Sequence, residues 1–116
     1  MESILTSVKK LLGLDKDNTD FDMDVIIHIN SAFAILTQLG VGPSEGFSIE
    51  NEFPIWDDFI SSEDKRFRMV KTYVYMKVRL VFDPPTNSSH LQALNDAVDE
   101  YEWRLNVAAE SKSEEV

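Results

Sequence analysis

The segment from Met69 to Pro85, Met-Val-Lys-Thr-Tyr-Val-Tyr-Met-Lys-Val-Arg-Leu-Val-Phe-Asp-Pro-Pro, constrains the fold more than any other. Phe67, Val70, Tyr73, Val74, Met76 or Lys77, Val78 and Val81 recur at the spacing of one helix face. Asp83-Pro84-Pro85 stops that helix, because a residue before proline is pushed out of the helical region and proline donates no backbone bond. The predicted helix runs from about Ser62 to Phe82, and the chain must turn where it ends. A second helical pattern follows in Leu91, Leu94, Ala97, Val98, Tyr101 and Leu105, opened by Ser89 and Gln92 in capping-box register.

Upstream, Ile4, Leu5, Val8, Leu11 and Leu12 predict a short helix from about Ser3 to Leu12, with Gly13 as its cap. A polar connection, Asp15 to Asp20, leads to a helix starting near Asp22 and ending before Gly40. Its stripe is Val25, Ile26, Ile29, Ala32, Phe33, Leu36 and Leu39, and Asp20 or Asp22 is the expected amino-terminal cap. Between Gly40 and Pro54 the helical period vanishes. Phe47-Ser48-Ile49 and Glu52-Phe53-Pro54-Ile55 flank Glu50-Asn51, which fits a small β-hairpin or an irregular loop. Trp56 to Ile60 reads as a helical turn that tucks its aromatics under the bundle. The fold class expected is all-α: about four main helices, with that excursion between the second and third long ones. The domain spans 1–107, and residues 108–116 lose the apolar pattern and read as a flexible tail.

A chain of 116 residues without cysteine is one domain with neither a disulfide framework nor a thiolate metal site. No basic region followed by an apolar run marks a signal peptide, and no apolar stretch approaches the roughly 18–20 residues that span a bilayer, so a soluble protein is expected. Catalytic chemistry has nothing to rest on. His28 lies one turn after Asp24, but no second histidine stands at helical spacing, and simple packing or surface placement explains it. Asp15 to Asp20 touches the calcium-loop template, yet Asp20 stands where the glycine belongs and Ile26 where the bidentate glutamate belongs. Asp57-Asp58 and Asp99-Glu100 are adjacent, so on a helix their carboxylates diverge by about 100°. The expectation is no catalytic residue, no cofactor and no metal. Partner binding falls instead to Phe47, Ile49 and Phe53 in the loop, to Tyr75 and Trp103 off the apolar stripes, and to the tail from Val107 to Val116.

Charge is unevenly placed. The net charge is −10, against general phosphate binding. Lys65, Arg66, Arg68, Lys71, Lys77 and Arg79 hold six of eleven basic residues, whereas Asp15, Asp17, Asp20, Asp22 and Asp24 face only Lys16. These are either solvated faces or two complementary patches. In the second case Asp15, Asp17 and Asp20 on one subunit meet Lys71 and Arg79 on the next.

The order of Val8-Lys-Lys-Leu-Leu-Gly13, Asp22-Met-Asp24-Val-Ile-Ile-His28-Ile-Asn30, Gln38-Leu-Gly-Val-Gly-Pro43, Gly46-Phe-Ser-Ile49, the helix closing in Phe82-Asp-Pro-Pro85 and Glu102-Trp-Arg-Leu-Asn106 resembles the head–tail connector (adaptor) proteins of tailed bacteriophages. The likeness covers residues 4 to 107. It implies a virion structural protein at the head–tail junction, assembled in the host cytoplasm as a ring of about a dozen subunits below the portal protein. The ring would extend the DNA channel, let phage DNA pass without specific binding, and dock a stopper or tail-completion protein. Involvement in DNA packaging is a further expectation of the same resemblance, and a membrane role is not. The competing reading is an acidic regulatory or inhibitor protein that binds a basic partner surface.

Overall fold

Ile4, Leu5 and Val8 leave water together on one face of a short helix, and the rest of the chain is built to cover them. The computed structural model describes residues 2–114, with side chains described through Ala109. The elements are α1 (Ile4–Leu11), α2 (Asp22–Gln38), α3 (Trp56–Phe59), α4 (Phe67–Phe82) and α5 (Ser88–Glu114). Helix α4 packs against both α2 and α5, and α1 lies across α2 and α4. Val25, Ile29, Phe33 and Leu36 of α2 meet Val70, Tyr73, Val74 and Val78 of α4 in one core, which Val98 and Leu105 of α5 close. Phe21 stands edge-on to Phe82 at 5.5 Å, so α2 begins where α4 ends and the two run antiparallel.

The helix ends follow local chemistry. Gly13 and Leu14 donate back to the carbonyls of Lys10 and Lys9, and Gly40 and Val41 do the same to Thr37 and Leu36, so α1 and α2 close with the same glycine motif. At α2 no aspartate caps the start. Phe21 holds the cap position without a side-chain bond, and Asp22 turns to an ion pair instead. Helix α4 begins at Phe67 rather than Ser62. Asp64 accepts from the Arg66 backbone N–H and grips its guanidinium at 2.9 and 3.1 Å, a local turn that competes with the helix. Asn87, not Ser89, caps α5, since its Oδ1 accepts from Ser89 and His90, while Gln92 reaches Asp96. Two stripe residues are exposed: Leu11 and Val81 lie on the outer side of their last turns.

No β-hairpin forms between α2 and α3. Among the described residues there is no strand, only an isolated bridge between Ser3 and Ile55. The reason is Asn30. Its side-chain amide accepts from the Ile49 N–H at 2.8 Å and donates to the Ile49 carbonyl at 2.9 Å, supplying from a helix what a partner strand would supply. Phe47 then packs edge-on to Phe33 at 5.1 Å and beside Phe59 at 5.4 Å. Gly42 is required there: at φ +85°, a Cβ on it would fall 2.4 Å from the Phe59 ring. Trp56 is fixed by donating to the buried Ser7 hydroxyl at 2.8 Å.

Helix α5 continues past Asn106, where the apolar pattern stops, to Glu114. Ala108 and Ala109 are half-buried, and Ala109 lies beside Gly40. Alanine, lysine and glutamate sustain a helix without a core-facing stripe. Val116 lies outside the described residues.

Candidate functional site

Lys9 organises the acidic connection. It is 2% exposed, yet its ammonium pairs with Asp22 at 2.7 Å and donates to the carbonyls of Asn18 at 2.7 Å and Lys16 at 3.1 Å. Asp15 and Asn18 close small turns by accepting from Asp17 and Asp20. The loop that touches the calcium template is thus folded around an internal cation, the ammonium of Lys9. Asp15, Asp17, Asp20 and Asp24 remain exposed around it. Among the described residues no group of three or more His, Cys, Asp or Glu could hold a metal ion. His28 is half-buried and His90 exposed. Among the described residues no helix is long and apolar enough to cross a membrane.

The basic edge of α4 is partly engaged within the chain. Lys71 lies over the rings of Phe67 and Trp56 at 5.4 and 6.0 Å. Arg79 donates to the Tyr75 hydroxyl at 3.3 Å, so Tyr75 is half-buried and occupied. Lys77 approaches Glu102 at 3.9 Å. The Tyr73 hydroxyl donates to the same Glu102 carboxylate at 2.7 Å, which pins α5 to α4. Burial pushes the Tyr73 hydroxyl far above the usual tyrosine range, and the hydrogen bond and charge of Glu102 push it further. Lys65, Arg68 and Arg104 are the exposed bases nearest this edge in sequence.

The residues singled out as partner contacts divide. Ile49 is turned inward and belongs to the core, because its backbone is held by Asn30. Phe47 is half-buried in the aromatic cluster. Phe53, Trp103 and Val107 are exposed, and Trp103 keeps 65% of its surface in water. Sequence reasoning missed one surface. Helix α2 carries Met23 and Ile27 on the side opposite its core stripe, 73% and 56% exposed. The signal was available: from Val25 to Gln38 the chain has no acidic or basic residue other than His28, although one side of α2 faces water. Beside that side lies an open groove of about 510 Å³, lined by Asn30, Ala34, Thr37, Glu45, Phe47 and Ser48.

An acid-rimmed connection, a basic helix edge and two apolar outer faces are surfaces for association, the make-up of an assembly subunit. The model of the phage connector protein family matches residues 4–112, nearly the whole bundle, and the chain belongs to that family. No curated protein and no solved structure matches the chain.

Proposed function

We propose that this phage connector protein is the head–tail adaptor of a virion. It forms a ring of about a dozen subunits beneath the portal protein, extends the DNA channel and docks a stopper or tail-completion protein. The family match over residues 4–112 carries this reading. A closed ring needs two different complementary patches on each subunit, and the charge distribution supports that. The exposed Asp15, Asp17 and Asp20 stand on the α1–α2 connection, and the bases of α4, including Lys71 and Arg79, on another element. A net charge of −10 keeps DNA sliding rather than bound. Phe53 and the carboxyl-terminal turns of α5 beyond Val107 reach the portal or the next ring. The exposed acids are spread over the connection, the 50–52 loop and α5 rather than gathered on one face, which is less suited to an inhibitor of a basic partner.

Negative-stain imaging of the purified chain, alone and mixed with a portal protein encoded in the same genome, tests the proposal. Rings that stack coaxially on portals are expected. A chain that stays monomeric at high concentration and leaves portals bare would remove the adaptor reading.

A further inference from the structure

Helix α2 carries apolar side chains on both sides. The core takes Val25, Ile29 and Leu36, while Met23, Ile27 and Ala34 lie along the opposite side at 3.6 residues per turn. Met23 and Ile27 leave large apolar surface in water, rimmed by the exposed polar Asp24, Ser31 and Gln38, and apolar surface with a polar rim marks a contact site. The same chain carries an apolar ridge of matching kind. Trp103 and Val107 stand one turn apart on α5, on the side opposite the buried Val98 and Leu105. Neither pair can cover the other within one subunit, because each points away from the shared core.

We infer that the outer side of α2, with the groove beside Ala34 and Phe47, receives Trp103 and Val107 of a second copy of this chain, and that this apolar contact is the centre of the subunit seam. The small side chain of Ala34 leaves the groove open for an indole, and about 510 Å³ is ample space for one. Charge agrees with the docking. Glu45 lines the groove, and Arg104 follows Trp103 on α5, paired with the exposed Glu100 at 3.4 Å. Re-pairing Arg104 to Glu45 across the seam exchanges one exposed ion pair for another at little cost. A different protein on α2 would leave the ridge on α5 unexplained, whereas a copy of the chain uses both. The contact is heterologous, so it closes rings rather than dimers. The acids of the α1–α2 connection and the bases of α4 then steer the approach and fix its register.

This inference rests on the ring-forming reading, and cross-linking separates the two. The chain has no cysteine, so Ala34→Cys and Val107→Cys provide unique thiols. With a short bismaleimide, the double variant is expected to give a ladder of covalent oligomers. Each single variant alone gives monomer, and an equimolar mixture of the two gives dimer and nothing larger. Trp103→Ala, at an exposed position, is expected to keep the wild-type melting temperature while weakening assembly at least about tenfold. If the wild-type chain assembles but the mixture gives no dimer and Trp103→Ala assembles normally, the apolar seam is overturned and the ring reading stands. If the wild-type chain does not assemble at all, both fall together.

Discussion

Removing the Lys9 ammonium tests the account of the acidic connection. Three acceptors depend on it: Asp22 and the carbonyls of Lys16 and Asn18. Lys9→Met keeps the aliphatic stem in the core and removes only the charge. Truncating one member of a buried ion pair costs about 3–5 kcal/mol when the other is left dry. Asp22 keeps 25% of its side-chain surface in water and can rehydrate, so the cost falls below that range, to about 2–3 kcal/mol. For a domain of this size that lowers Tm by roughly 8–12 °C. Circular dichroism melts give the total, and hydrogen exchange locates it: amides from 15 to 20 should exchange faster while those of α4 keep their order. Asp22→Asn alone should cost less, about 1 kcal/mol, since the two carbonyls still hold Lys9. The pair in a double-mutant cycle should couple by about 0.5–3 kcal/mol. Lys9→Met within about 0.5 kcal/mol of wild type, the range of an ordinary surface change, would refute a structural ammonium at the base of the loop.

Three further outcomes are expected. Gly42→Ala places a Cβ against the buried Phe59 ring at a positive φ, and should lose about 2–4 kcal/mol in urea denaturation. Asn30→Ala leaves both backbone groups of Ile49 without partners; a loss of about 2–3 kcal/mol, with faster exchange at Ile49, is expected. Tyr73 supplies a pH dependence. Its folded-state pKa is raised, so its contribution is full below the unfolded value of about 10 and is lost as pH rises above it. Tyr73→Phe should therefore melt lower than wild type at pH 7 and lose less stability than wild type between neutral and strongly alkaline pH.

The parts of the fold legible in the sequence are those fixed by period and by backbone stops. The stripes of α2 and, but for Val81, of α4, the double proline after Phe82 and the Gly13 cap depend on spacing alone, and all recur in the structure. What spacing could not show is where a polar side chain finds its partner. Phe47 and Ile49 alternate like a strand, but the ladder they would need is replaced by the amide of Asn30, 19 residues earlier. Lys9 counts in the sequence as a surface base, and only the fold brings it to Asp22, Lys16 and Asn18. Asp64 delays the start of the predicted helix because its carboxylate serves Arg66 locally. Of the surface, Trp103 was legible because it stands off the apolar line of α5. Ile49, expected among the loop anchors, is buried, and a loop's composition does not reveal which of its side chains turn inward. The outer side of α2 was hidden because Met23, Ile27 and Ala34 are interleaved there with the polar Asp24, Ser31 and Gln38, so they form no stripe as clear as that of the core.

In the proposed function, copies of this chain close into a connector ring. Native mass spectrometry of the purified protein over a concentration series measures this directly. The account predicts monomer passing to one dominant closed oligomer of about a dozen copies, weakened by Trp103→Ala and by added salt. A series that ends at dimers, or that grows without a preferred size, would contradict it.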